Sequence, residues 1–414
     1  MLYVITAILV LDFVLGRVLS VLNASYEHLP IPEEICDIYN EERHSKQVSY
    51  AKVNRQLSWL TNGLSLLIML LMLYLGGFRW IDLWVHDITS EVVNPIWRDI
   101  MMAVCYFSLL ELAESVISIP ISVYRTFVVE QRFGFNTTTP TTFTLDWLKS
   151  TLLQLLLISV VLAAVVGVYD SIPDWFWLVS WAVVAVISVF VSYFYSQLIV
   201  PLFNKQTPLP QGELRDAIEK LAAQAGFHLT DIYVMDSSKR TTHANAYFAG
   251  FGKKRRIVLY DTLIEQLSTD EIVAVLAHEI GHSRHNHTAK AMATGLAQQL
   301  LMFVLLGLAL RYNLLAGAIG CEPSFHVNMF LFSILYEPLS LLLSLLGNYV
   351  SRKNEYEADA FARSNGLAQS LVVALKKLSA NSLSNPNPHP AFVFFYYSHP
   401  TLVQRIRALS NTYK

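Results

Sequence analysis

Apolar residues run almost unbroken through seven stretches of the chain, at residues 2–22, 57–78, 100–121, 148–168, 175–200, about 291–310 and 325–350. A bilayer's hydrocarbon core is about 30 Å thick and takes about 20 helical residues to cross, so each stretch is predicted to be a membrane-spanning helix. The first stretch has the position of a signal peptide, but it lacks a basic start and carries Asp12 and Arg17, so it is expected to be retained. Between the fifth and sixth stretches, from about residue 204 to 284, the pattern changes. Residues 213–225 have the period of an amphipathic helix ending at Gly226, residues 231–235 and 256–260 alternate like short strands, and Asn245-Ala246-Tyr247-Phe248 is a candidate third strand. A small α+β domain is the natural reading of this segment. Ser268-Thr269-Asp270-Glu271 then reads as a capping box opening a helix, whose apolar face is Ile272, Val273, Val275, Leu276 and Ile280.

Composition agrees with a membrane protein: 54% of residues are hydrophobic, only 15% are charged, and the mean hydropathy is +0.41. A net charge of -2 gives no sign of a nucleic-acid partner. Cys36, Cys105 and Cys321 are scattered and odd in number, which suggests neither a disulfide frame nor a thiolate metal site. Lysine and arginine cluster after the first span (Arg43, Lys46, Lys52, Arg55), after the third (Arg125, Arg132) and after the fifth (Lys205 through Lys253, Lys254, Arg255 and Arg256). Segments 169–174 and 311–324 are nearly free of them. The positive-inside rule then puts segments 204–284 and 351–414 in the cytoplasm and the N-terminus outside. Asp12, Arg17, Glu111, Glu114 and Glu337 fall within spans, where their cost in lipid favours a bundle interior or a water-filled cavity. Pro120 and Pro338 are expected to kink their helices.

The candidate chemistry lies in His278-Glu279-Ile280-Gly281-His282. Histidines four apart share one face of a helix, so both imidazoles can reach one zinc ion, and the glutamate after the first can reach the water that the metal activates. A third ligand is expected from another helix. Glu355-Tyr356-Glu357-Ala358-Asp359 offers carboxylates four apart on one face, with Glu357 on a different one. Glu355 is the candidate ligand; Asp359 would either orient a histidine ligand through its free ring nitrogen or anchor the helix through an arginine. His285 is read as a non-ligand, because a catalytic zinc keeps one position open. His287 is either close behind the ligands or part of the membrane-interface packing. His399, before Pro400, is a candidate donor to the oxyanion formed during attack on a carbonyl.

Several segments together resemble the type I CAAX prenyl endopeptidases, a family of integral-membrane zinc metalloproteases. They are Glu130-Gln131-Arg132-Phe133-Gly134-Phe135-Asn136 with Thr138-Thr139-Pro140, Pro201-Leu202-Phe203-Asn204-Lys205, His243-Ala244-Asn245-Ala246-Tyr247-Phe248, the H-E-x-x-H, Asn354-Glu355-Tyr356-Glu357-Ala358-Asp359-Ala360-Phe361, and Ser398-His399-Pro400-Thr401. The resemblance implies a mainly α, polytopic membrane protein, with about seven transmembrane helices enclosing a chamber and capped by a small α+β zinc metalloprotease domain of gluzincin type. Its expected division is 1–203 for helices one to five, 204–288 for the protease core, 289–350 for helices six and seven, and 351–414 for a catalytic tail. It further implies one zinc per chain on His278, His282 and Glu355, Glu279 as base, His399 assisting the oxyanion, Asp359 paired with Arg405, and Asn245 and Ala246 on the edge strand that pairs with substrate. Gln404 stands where the family commonly has an acidic residue.

The implied substrate is a C-terminal peptide that loses its last three residues after a prenylated cysteine, cut by a monomeric enzyme in the bilayer with its catalytic side cytoplasmic. The tail 410–414 has no ER-retention signal, which favours a bacterial inner membrane over the endoplasmic reticulum. Two other readings compete: a membrane quality-control endopeptidase with no lipid requirement, and a non-enzymatic seven-span receptor or transporter whose zinc is structural. A protease that cuts transmembrane helices fits less well, because the H-E-x-x-H precedes a span instead of lying within one.

Overall fold

The computed structural model describes residues 1–227, 229–249, 255–312 and 315–410, so Lys253 and Lys254 of the basic loop lie outside the described residues. Among the described residues, seven helices are long and apolar enough to cross a membrane, one for each predicted stretch. In chain order, α1 (Leu2–Ser25) is followed by α2 (Glu41–Tyr74), whose first turn is capped by the Asn40 side chain accepting from the Arg43 N–H at 2.8 Å. Gly76, at φ +74°, turns the chain where other residues would be strained. The predicted span 57–78 therefore stops at Tyr74, and a separate amphipathic helix, α3 (Gly77–Thr89), begins beyond it. Apolar residues on both sides of Gly76 hid this break.

The third span, α4 (Pro95–Tyr124), continues through a π-helical turn at Arg125–Glu130 into α5 (Gln131–Phe133). Next come α6 (Pro140–Ser171) and α7 (Phe176–Phe194), then a second π-helical turn at Tyr195–Ile199 and α8 (Val200–Phe203). Wide turns of this kind re-aim the end of a helix. Beyond the small domain lie α9 (Glu213–Gln224), α10 (Asp261–Gln266), α11 (Thr269–Arg284), α12 (His287–Tyr312) and α13 (Phe325–Ser364). The chain closes with α14 (Ala368–Asn381), α15 (Pro390–Tyr396) and α16 (Leu402–Leu409). Helices α4 and α13 run on through Pro120 and Pro338.

The spans form a ring. Helix α1 packs on α2 and α13, and the sequence of neighbours continues from α13 through α12, α7 and α6 to α4, whose π-helical extension returns to α2. Helix α4 also touches α13, and only 6% to 22% of the most apolar window of each span is buried, so most of each span's surface faces lipid or the space between the helices. A cavity of about 710 Å³ on the wall of the ring is lined by Asp12, Arg17, Glu27 and Arg55 from α1, α2 and the α1–α2 loop, with Tyr396 from α15. Glu27 and Arg55 form an ion pair there, and the Arg17 guanidinium lies over the rings of Phe13 (5.3 Å) and Trp59 (5.5 Å). Glu337 interacts electrostatically with Asp12 from α13. Glu111 is half-buried and Glu114 exposed.

Among its described residues the small domain has four strands, β1 (Gln206–Pro208), β2 (Leu229–Met235), β3 (Ala246–Ala249) and β4 (Arg255–Tyr260), in the order β1-β2-β4-β3. The β2–β4 pair is parallel and the other two are antiparallel. Three strands coincide with the alternating segments; β1, three residues long, is too short to show a period. A continuous core joins the sheet to helices on both sides of the later spans, through Ile218, Ile232, Ile257, Leu276, Leu371 and Ile406. Tail helices α14 and α16 thus pack into the same body as segment 206–284.

Candidate metal centre and active site

Helix α11 begins where the capping box predicts. Ser268 Oγ accepts from the Glu271 N–H at 3.4 Å, and the Glu271 carboxylate accepts from the Ser268 N–H at 2.9 Å and from Lys377 Nζ of α14 at 2.7 and 2.8 Å. One turn apart on this helix, His278 and His282 bring their Nε2 atoms to 3.1 Å. Helix α13 crosses close behind, because position 281 is glycine: a Cβ there would lie 2.9 Å from Ala358 Cα and 3.0 Å from its carbonyl oxygen. That approach delivers Glu355, whose Oε1 is 3.2 Å from His282 Nε2 and whose Oε2 is 3.5 Å from His278 Nε2.

These residues fit a metal ion. One donor atom from each of His278, His282 and Glu355 lies within 4.8 Å of the others. Zinc bonds of about 2.0–2.2 Å would set tetrahedral ligand atoms about 3.3–3.6 Å apart, close to the separations present. Glu355 Oε2 is buried without a hydrogen-bond partner. It faces the Arg405 guanidinium at 3.3 Å and His278 Nε2 at 3.5 Å without a hydrogen bond to either, so a metal-ligand bond from this carboxylate would complete its coordination. Two imidazoles and one carboxylate make the three-ligand set of a catalytic zinc with one position open.

Asp359 does both of the things considered for it. Its Oδ1 is 2.9 Å from His278 Nδ1, while its two oxygens accept from Arg405 Nη2 at 2.6 Å and Nε at 2.9 Å. Arg405, 9% exposed, also reaches Glu355 Oε2 at 3.3 Å. Burial alone would lower its pKa, but the Asp359 and Glu355 carboxylates outweigh that and raise it. Gln404, the departure from the family pattern, completes a capping box on α16: its Oε1 accepts from the Thr401 N–H at 2.9 Å while Thr401 Oγ1 accepts from its own N–H at 3.3 Å. The amide therefore serves the cap that starts the Arg405 helix as an acid would.

Glu279, His399, Asn245 and Ala246 line the same cavity, about 360 Å³ in volume, with Leu371 and Leu375 on its apolar side. Burial pushes the Glu279 carboxyl above the usual range, against the pull of His278 and His282. His399 Nε2 is 3.4 Å from Glu355 Oε1, its Nδ1 is 2.9 Å from Ser398 Oγ, and its side chain is largely exposed to the cavity. Asn245 precedes β3, the edge strand, whose one described partner is β4. The spans hold this edge in place: Arg240 donates to Asp146 of α6 at 2.6 and 2.9 Å, Asn136 bridges to Thr241, and His243 stacks on Phe135 at 4.5 Å.

Sequence reasoning left His287 open and set Glu357 aside. His287 Nδ1 lies 2.9 Å from His282 Nδ1, and its Nε2 is 3.1 Å from Glu357 Oε2. The pair backs one candidate ligand histidine as Asp359 backs the other. A histidine just past the second candidate ligand was the available signal. His285 is exposed, 3.9 Å from Glu357, and outside the His278–His282–Glu355 cluster.

Comparison with known proteins bears on this geometry. A family model described as CAAX prenyl protease N-terminal, five membrane helices, matches residues 22–205, and one for peptidase family M48 matches residues 208–413. CAAX prenyl protease 1 homolog of Oryza sativa subsp. japonica is 34% identical over 389 residues, which are 92% of this chain and 90% of that protein. The chain belongs to the M48 CAAX prenyl protease family. Among other members, CAAX prenyl protease 1 of Saccharomyces cerevisiae is 35% identical over 75% of this chain and 72% of its own. The crystal structure of S. mikatae Ste24p superposes with a TM-score of 0.91 at 31% identity, covering 99% of this chain and 98% of that one. Membership makes this a membrane-embedded metallopeptidase, and the reading as a non-enzymatic receptor or transporter falls.

Proposed function

We propose that the protein is a zinc-dependent endopeptidase that removes the last three residues of CAAX-type prenylated proteins. The observation that carries this reading is one cavity in which the donor atoms of His278, His282 and Glu355 converge beside Glu279 and an edge strand. In this reading His278, His282 and Glu355 hold one zinc per chain. Zinc held by these residues would supply Lewis acidity toward a scissile carbonyl and would lower the pKa of a bound water to roughly 7. Glu279 takes the proton of the attacking water and returns it to the leaving amine; its burial suits a carboxylate that must do both. His399 donates to the developing oxyanion. Asp359 fixes the tautomer of His278, and Arg405 fixes Asp359. Asn245 and Ala246 pair with an extended substrate backbone by strand addition, which orients the bond to be cut.

The lipid-modified cysteine faces the ring of spans. A groove of about 530 Å³, lined by His243, Tyr396, Tyr397 and His399, adjoins the site, and Tyr396 also borders the polar hollow behind α1 and α2. The enzyme works as a monomer with its catalytic side in the cytoplasm, as the placement of lysine and arginine suggests. We assign residues 1–203 and 289–350 to the membrane part and 204–288 with 351–414 to the catalytic part.

The test is cleavage of a C-terminal peptide, with and without farnesyl on its cysteine, by detergent-purified protein. Wild type should cut the farnesylated peptide and lose the activity on metal removal; Glu279→Gln should fall by about 10²-fold or more. Equal cleavage of both peptides would replace this reading with the quality-control one. Zinc-replete protein that cuts neither would refute it.

A further inference from the structure

A second group of metal-binding side chains stands behind the candidate centre, on the Nδ1 side of His282. Helix α11 ends at Arg284 with His285 as its cap, α12 opens at His287, and Glu357 lies on α13 two residues past Glu355. Residues two apart on a regular helix do not face each other. Here Asn286 between them takes the left-handed conformation at φ +54°, which asparagine tolerates better than most residues, and the two histidine rings stack at 5.4 Å and 15°.

His287 Nε2 is 3.1 Å from Glu357 Oε2, and His285 Nδ1 is 3.9 Å from the same oxygen. One donor atom from each of the three residues lies within 4.8 Å of the others. Donor atoms around a tetrahedral zinc lie about 3.3–3.6 Å apart, so small rotations bring these three to one ion. The His287 side chain is 5% exposed, whereas those of His285 and Glu357 are 45% and 35% exposed. One donor is fixed by the fold and two reach into solvent, which is the form of a site that samples free metal and releases it again.

We propose that His285, His287 and Glu357 form a second zinc site, and that a metal there weakens the one on His278, His282 and Glu355. The link is a single pair of ring nitrogens. His282 turns its Nε2 to Glu355 and its Nδ1 to His287 Nδ1, 2.9 Å away. With Nε2 given to a metal, His282 carries its proton on Nδ1 and donates it to His287 Nδ1; His287 then carries its own proton on Nε2 and donates it to Glu357. A metal on His287 Nε2 takes the place of that proton. Neutral His287 must then hold its proton on Nδ1, so two N–H groups face each other across 2.9 Å where a donor had met an acceptor. The proton changes nitrogen by exchange with water, and the number on His287 is unchanged. Each metal therefore disfavours the other, by the same factor in both directions. This antagonism rests on His282 being a ligand of the catalytic zinc; the second site itself does not.

Zinc binding by the full-length protein in detergent, measured at buffered free zinc without substrate, tests both parts. Wild type should take up two zinc ions per chain, the second more weakly than the first. In His278→Ala/Glu355→Ala, which keeps His282 and His287 but dismantles the catalytic set, one zinc should bind about tenfold tighter than the second zinc of wild type, and adding His285→Asn or Glu357→Gln should remove it. His285→Asn alone, at a residue outside the catalytic set, should cleave the farnesylated peptide as wild type does at low free zinc, and should lose the inhibition that excess zinc imposes on wild type. Wild type that binds one zinc and no more up to millimolar free zinc would overturn the site, as would a second zinc that survives both His285→Asn and Glu357→Gln. A second zinc bound equally well with the catalytic set intact or dismantled would overturn the antagonism. Protein that binds two zinc ions in the expected pattern yet cuts no peptide would refute the proposed function and leave the second site standing.

Discussion

Gly281→Ala should damage the metal centre more than it damages the fold. The added methyl would sit 2.9 Å from Ala358 Cα, 3.0 Å from Ala358 O and 3.0 Å from Phe361 Cβ. Comfortable carbon contacts are about 3.5–4.0 Å, so α11 and α13 must part by about 0.5–1 Å on that side. Two of the obstructing atoms are backbone and cannot rotate away. Overpacking of this kind costs about 1–3 kcal/mol, and alanine returns up to about 1 kcal/mol of helix propensity over glycine, which leaves a modest net loss of stability. The ligand geometry is less forgiving, because the two histidines ride on α11 and Glu355 on α13, and metal–ligand distances hold to about ±0.2 Å. Zinc affinity, read by competition with a chromogenic chelator, should drop at least about tenfold. Cleavage at saturating zinc should fall by about 10²-fold, the usual effect of misplacing a reacting group by an ångström. Gly295→Ala, where a Cβ meets nothing within 4 Å, is the matched control and should change neither. Affinity and kcat/KM of Gly281→Ala within twofold of wild type would show that the close helix approach does not set the site.

Other perturbations separate the roles around the metal. Asp359→Asn should weaken zinc binding by about 10–100-fold, measured by the same competition, since it removes the carboxylate from both His278 and Arg405. His399→Gln should leave zinc affinity intact while kcat falls by about 10²-fold in the farnesyl-peptide assay. Burial would raise the Glu271 carboxyl, but the hydrogen bonds from Lys377 and the Ser268 N–H outweigh it and hold the carboxyl below its usual range. A carboxyl depressed in the folded state stabilises above its unfolded pKa of about 4.3 and loses that contribution as pH falls through the folded value. Glu271→Gln keeps the cap and loses the ion pair, so its melting temperature should lie slightly below wild type at pH 7, with the gap closing as the pH falls below about 4. A gap that stays constant with pH would remove the ion pair from the account.

What could be read from the chain divides by the range of the interaction. The His278–His282 face, the Ser268 cap and the Glu355–Asp359 spacing are set within one or two helical turns, and each appears in the structure with the geometry that its spacing requires. The ionisable residues in the first span pointed away from lipid for the same reason, to a bundle interior or a cavity, and Asp12 and Arg17 line a cavity. Arg405 and the Asn245 edge strand carry no such local mark. A buried arginine looks like any surface arginine until Asp359 arrives from 46 positions away, and a strand is an edge only once its neighbours are placed; family resemblance, not spacing, pointed to both. Asp82 and His86 share the four-residue spacing of the zinc motif, yet their partner His326 is 244 positions from Asp82, so nothing nearby raised them above a polar helix face. Helix α13 resolves that long range in a single element. It carries His326 in its first turn, passes Glu337 near Asp12, and brings Glu355 and Asp359 behind the H-E-x-x-H before it ends at Ser364. The hydropathy changes near residue 350, but the helix does not break there. A rigid rod shared by the membrane ring and the catalytic body couples the two, so a shift of the ring must displace the third candidate ligand unless the rod bends.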